Sequence, residues 1–323
     1  MKQRHFRYRR PHRTRGLLWM LLGLAGLGAI AAVFGKRRFG ASGSERSSSR
    51  LADDFLPPPD PPESVSVWIN GPSGNLYVRD GGMVSSGRLP VIFLHSLAGN
   101  GGQWALQLDH LRRGRRAVAV DLRGHGESDP AEDGDYTVPA LARDVEAVAD
   151  QLGLRRFILA GHSLGSAVAI EYASRHPERV AGLLLVDPNG DLTRMPREQM
   201  EPFLGTLREN PVEELSSYYR QLVVGGDPDA SRWVLEDLRL TDENAIVKSL
   251  EGSLEYATLA ALQKYEGPKL SVVSDMNSLP YSLHRLMPEL STRMMPGTGH
   301  WLMMDRPEAF NGIVDEFLDE VEG

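Results

Sequence analysis

The sequence predicts an α/β fold with a mostly parallel sheet and an inserted block of helices, and three observations predict it. Five nearly continuous apolar runs, VIFLH (91–95), AVAVDL (117–122), FILAGH (157–162), GLLLVD (182–187) and KLSVVSD (269–275), suit strands buried on both faces. Amphipathic segments separate them, such as VPALARDVEAVADQLG, where Leu141, Val145, Val148 and Leu152 form one stripe. Residues 189–266 contain no comparable strand and read as several helices forming a cap.

The chain has 323 residues, 41% of them hydrophobic, enough to bury a substantial core. Its first fifty residues are a different object, with twelve Lys or Arg against the single acid Glu45, in a chain whose net charge is −7. Residues 17–34, LLWMLLGLAGLGAIAAVF, carry no charge and at 1.5 Å per residue just span a hydrocarbon core of about 30 Å. Seven Lys or Arg precede this run and three follow it directly. That asymmetry favours a transmembrane anchor with a cytoplasmic N-terminus and an exported C-terminal domain. The competing reading is a cleaved signal peptide with AIA at 29–31 as its site, which would make the protein secreted. A nucleic-acid-binding tail would explain the arginines but not the apolar run. The expected division is therefore anchor or signal over 1–35, a Ser/Pro/Gly-rich tether over 36–63, and a folded domain over 64–323 with its cap at about 189–266. VSVWIN and NLYVRD open that domain as a hairpin. Cysteine is absent, which excludes a disulfide framework.

Within ILAGHSLGSAV (158–168) an apolar strand runs straight into a serine flanked by glycines. A serine hydroxyl is a weak nucleophile unless a base takes its proton and the oxyanion that forms is stabilised. A tight strand-to-helix turn exposes the hydroxyl above the sheet, and Gly161 and Gly165 around Ser163 relieve the crowding of such a turn. The turn also turns backbone N–H groups toward the developing charge. Ser163 is thus the expected nucleophile and the Leu164 N–H the first oxyanion donor.

Together with three further stretches, this elbow resembles the α/β-hydrolase superfamily, in its branch of capped esterases, haloperoxidase-like and haloalkane-dehalogenase-like proteins, over about 260 residues. VIFLHSLAGNGGQW (91–104) is similar to the family's oxyanion loop, DLRGHGESD (121–129) to its loop after the fourth strand, and PGTGHWLMMDRPEAFNGIVDEFL (296–318) to the closing strand, catalytic histidine and last helix. The resemblance implies an eight-stranded, mostly parallel sheet flanked by helices, a second oxyanion donor at Leu97, and a general base at His300. His95, His125 and His162 lie in loops flanking the site and are expected to order backbone. Ser96 stands where the family has glycine, a conformational concern because glycine alone takes positive φ cheaply.

The third triad member is open. The family's pattern after its seventh strand aligns with PKLSVVSDMNSLP (268–280) and would put the acid at Met276 or Asn277, neither a carboxylate. Asp275 lies one or two positions early. The superfamily's other location, after the sixth strand, holds Asp187. One of these two is expected to hold the histidine's tautomer.

These residues imply a serine hydrolase acting on a small-molecule substrate, with carboxylic esters preferred over lactones, thioesters, amides or carbon–carbon substrates. Serine rather than aspartate at the elbow argues against dehalogenation and epoxide opening. Met195, Met200, Phe203, Leu204, Tyr218, Tyr219 and Trp233 are candidates for an apolar acyl pocket, or for gluing the cap to the core. Glu198, Glu201, Glu213 and Glu214 would serve an aminopeptidase or form a solvated face. A membrane-tethered binding protein without turnover is the alternative outside enzymes. No metal-ligand cluster or dinucleotide fingerprint occurs, so no cofactor is implied.

Overall fold

The computed structural model describes residues 64–84 and 87–323. The anchor and signal readings fall on residues outside that range. Among the described residues no helix is long and apolar enough to cross a membrane.

Strands β1 (Ser64–Gly71) and β2 (Gly74–Gly82) form the expected hairpin. They are followed by β3 (Val91–Leu94), β4 (Arg116–Val120), β5 (Phe157–His162), β6 (Val180–Val186), β7 (Lys269–Ser274) and β8 (Ser291–Met295). The spatial order is β1-β2-β4-β3-β5-β6-β7-β8. β2 pairs antiparallel with β1 and β4, and every other pair is parallel. β3, β5 and β6 are buried along their whole length, as their unbroken apolar runs require. After β3 the chain crosses to β4 on one side, then returns to β5 on the other. The loops leaving β3 and β5 therefore diverge, and a crevice opens above their carboxyl ends.

Helices α1 (Ala105–Arg112), α2 (Val138–Gln151) and α3 (Leu164–Arg175) make the crossovers between the central strands. Between β6 and β7 run α4 (Arg197–Glu209), α5 (Pro211–Leu222), α6 (Pro228–Leu240), α7 (Glu243–Glu255) and α8 (Thr258–Leu262). Proline opens α5 and α6, where a missing N–H costs nothing, while the Asp227 and Asp242 carboxylates cap the first turns of α6 and α7. α8 packs on α3 and so belongs to the layer covering the sheet rather than to the cap. Short α9 (Leu283–Leu286) and α10 (Leu302–Asp305) precede the closing α11 (Pro307–Glu322).

The last strand corrects the sequence reading. It ends at Met295, just before the stretch 296–318 that was matched to strand, histidine and helix. Only the final residue of β8 is buried, so no apolar run announces it.

Candidate active site

Ser163 links β5 to α3 with φ 53° and ψ −113°, a conformation that costs a non-glycine residue on the order of 1–3 kcal/mol. Its neighbours hold it there. Ser163 N–H donates to Val186 O at 3.0 Å, Ser166 N–H donates to Ser163 O at 3.0 Å, and the Ser166 hydroxyl donates to Gly161 O at 2.6 Å. Both flanking glycines are obligatory. A Cβ on Gly161 would lie 2.2 Å from Gly165 O, and one on Gly165 would lie 2.5 Å from Leu94 O.

Opposite the elbow, His300 Nδ1 donates to Asp187 Oδ2 at 2.6 Å. Asp187 is 1% exposed. Its Oδ1 also accepts from Ser274 N–H (2.9 Å) and Asn277 Nδ2 (3.1 Å), and its Oδ2 from the Ser274 hydroxyl (2.9 Å). With the Nδ1 proton committed to this carboxylate, Nε2 is the acceptor of the neutral ring. His162, the residue before Ser163, holds the His300 backbone. Its Nε2 donates to His300 O at 2.9 Å, and the two rings are 4.6 Å apart. The cap contributes as well, because His300 N–H donates to Leu222 O at the end of α5.

Asp275 is not part of this cluster. A turn closed by Asn277 N–H on Ser274 O sends it outward, where its carboxylate accepts from Gly297 N–H at 3.0 Å. Asn277, in one of the two positions where the family pattern would put an acid, supports Asp187 instead and also donates to Pro188 O at 2.9 Å. Asn189 was not anticipated from the sequence. Its Oδ1 accepts the Ser163 hydroxyl proton at 2.7 Å, and no motif marks it beyond its place two residues after Asp187.

Leu97 and Leu164 lie on the loop after β3 and in the first turn of α3. Among the described residues neither N–H has a hydrogen-bond acceptor. The positive φ feared at Ser96 falls instead on Ala98, at 51°. Ser96 donates through Oγ to Gln103 Oε1 at 3.3 Å, and Gln103 donates to Asp237 Oδ2 on α6 at 3.1 Å. The Tyr219 hydroxyl on α5 donates to Leu97 O. Two cap helices thus brace the loop after β3.

His95, His125 and His162 bond to backbone groups around the site. His95 donates through Nδ1 to Ser96 O and accepts Leu122 N–H on Nε2; burial pushes its pKa down to about 4. Burial likewise pushes His125 down to about 3 and lowers His162 well below the usual range. All three stay neutral near pH 7. Of the proposed pocket residues, Met195, Met200 and Leu204 line a cavity of about 720 Å³ between α4, α7 and residues 134–137. None of Ser163, Asp187 or His300 borders it. Glu201 pairs with Arg208 at the surface and Glu198 and Glu213 are exposed, whereas Glu214 is half-buried, with one carboxylate oxygen that has no hydrogen-bond partner among the described residues. Among the described residues no group of three or more His, Asp or Glu is placed to hold a metal ion.

A family model for the alpha/beta hydrolase fold matches residues 90–229. The chain is 26% identical to epoxide hydrolase 3 of Xenopus tropicalis over 306 residues, 80% of this chain and 81% of that protein. It is 28% identical to the sn-1-specific diacylglycerol lipase ABHD11 of Mus musculus over 252 residues, 71% of this chain and 80% of that protein. It shares its fold with a thermophilic esterase from Thermogutta terrifontis, at a TM-score of 0.69 and 23% identity over 80% of this chain and all of that one. Residues 90–229 thus match the alpha/beta hydrolase family, and the chain has the fold of the α/β-hydrolases.

Proposed function

We propose that the protein is a serine hydrolase, a carboxylic ester hydrolase working through Ser163, His300 and Asp187. The observation that carries this reading is the 2.6 Å bond from His300 Nδ1 to a buried, fully hydrogen-bonded Asp187 beside a serine held at positive φ. Ser163 Oγ attacks the ester carbonyl while His300 Nε2 takes its proton. The N–H groups of Leu97 and Leu164 receive the oxyanion. His300 then protonates the departing alcohol, water enters with His300 as base, and the acid leaves. Asp187 fixes the tautomer and stabilises the imidazolium. The lipase and esterase names among the relatives support an ester substrate. A relative named as an epoxide hydrolase does not carry over, because the residue at the elbow here is a serine rather than a carboxylate.

The test is hydrolysis of p-nitrophenyl esters from acetate to decanoate by wild type and Ser163→Ala. Wild type is expected to turn over at least one chain length, with Ser163→Ala about 10³-fold or more slower. Equal rates on every chain length would remove the ester hydrolase reading.

A further inference from the structure

The Ser163 hydroxyl has one proton, and it is directed at Asn189 Oδ1, 2.7 Å away, with no hydrogen bond between Ser163 and His300. Asn189 is not a loose neighbour. The loop carrying it is pinned on both sides: Asp187 N–H donates to Val272 O at 2.7 Å, Pro188 O accepts from Asn277, and Asp191 N–H donates to Tyr281 O at 2.9 Å. Gly190 takes φ 82° against Tyr281, where a Cβ would meet the Tyr281 carbonyl oxygen at 2.3 Å. The amide is therefore delivered to the nucleophile by a rigid turn, and among the described residues its only side-chain partner is Ser163.

A proton donated to an amide oxygen is not available to the base. Reaction requires Ser163 Oγ to exchange that acceptor for His300 Nε2, and the bond to Asn189 must break first. We infer that Asn189 is a resting latch on the nucleophile, which holds the hydroxyl off His300 until the bound substrate releases it. This inference rests on the assignment of Ser163 as nucleophile. It adds a residue whose removal accelerates the first chemical step, the opposite of what loss of a supporting residue does.

Second-order labelling by a fluorophosphonate reads that step directly. Ser163 Oγ bonds to phosphorus, the P–F bond breaks, fluoride leaves, and the hydroxyl proton passes to His300 Nε2. Asn189→Ala and the similarly sized Asn189→Leu both remove the acceptor and are expected to label roughly three- to tenfold faster than wild type, the worth of one neutral hydrogen bond. Asn189→Asp keeps an acceptor and charges it, and is expected to label at least about tenfold slower near pH 8, since charge-assisted bonds are roughly twice as strong. A merely structural Asn189 would give slower labelling in Ala and Leu, and unchanged rates in both folded variants would likewise overturn the latch. Having two acceptor-free variants, each checked by thermal unfolding, keeps the test valid should one fail to fold. If wild type takes no label at Ser163, the nucleophile assignment fails and the latch with it. Labelled wild type with slower Ala and Leu variants removes the latch alone.

Discussion

Asp187→Asn is expected to lower kcat for ester hydrolysis about 10⁴-fold, while Asp275→Asn stays within about twofold of wild type. The hydrogen bonds around Asp187 predict how the loss arises. Its Oδ1 position accepts from two fixed donors, Ser274 N–H and Asn277 Nδ2, so an amide placed there must turn its oxygen to that side. The NH₂ group then falls at the Oδ2 position, facing His300 Nδ1, and the Ser274 hydroxyl can rotate to accept from it. Facing a donor, Nδ1 has to give up its proton, which moves to Nε2, and the ring can no longer accept from Ser163. Asparagine tolerates the φ of 41° at this position, so the fold survives and the comparison isolates the acid. Steady-state turnover of the two variants checks this. A steep fall in Asp275→Asn with Asp187→Asn still active would put the acid on the loop after β7.

The second large effect is on stability. Arg123, on the loop after β4, is 1% exposed and donates through Nε and Nη2 to Asp144 on α2, at 2.7 and 2.5 Å. It also donates to Asp135 O at 2.9 Å and to Ala140 O at 3.1 Å. Burial pushes the Asp144 carboxyl above its usual range despite the guanidinium beside it, so at this carboxyl desolvation outweighs the attraction. Removing Asp144 leaves the buried Arg123 charge with only the half-exposed Asp133 carboxylate, 3.6 Å away, as an ion-pair partner. Asp144→Leu is expected to lose about 3–5 kcal/mol, read as a fall in Tm of roughly 10 °C or more. The double variant Arg123→Met with Asp144→Leu should recover a large part of the loss; a double variant as unstable as the single one would mean that the backbone bonds of Arg123 matter more than the pair. The same loop feeds the site, because Leu122 N–H bonds His95, whose other nitrogen holds Ser96 O in the oxyanion loop.

Much of this was legible in the sequence for a physical reason. β3, β5 and β6 are buried on both faces and so must be continuously apolar, and the strained turn at Ser163 needs the two glycines that mark it. β8 was misplaced because an exposed strand is under no such constraint, and STRMM carries no pattern. The choice between Asp187 and Asp275 depends on which way the chain turns after Ser274, and spacing along a chain does not encode that direction. Asn189 escaped for a related reason. Its role exists only once the β6 loop is folded over the β5 elbow, and a lone asparagine after a proline has no local signature.

If Ser163 is the nucleophile it forms an acyl-enzyme, and that species can be trapped. Wild type mixed rapidly with p-nitrophenyl acetate and quenched in acid is digested and weighed by mass spectrometry, beside Ser163→Ala and Asp187→Asn. An acetyl group is expected on the peptide containing Ser163, formed with a burst of p-nitrophenol, absent in Ser163→Ala and slow to appear in Asp187→Asn. An acetyl group on another residue, or unimpaired turnover in Ser163→Ala, would contradict it.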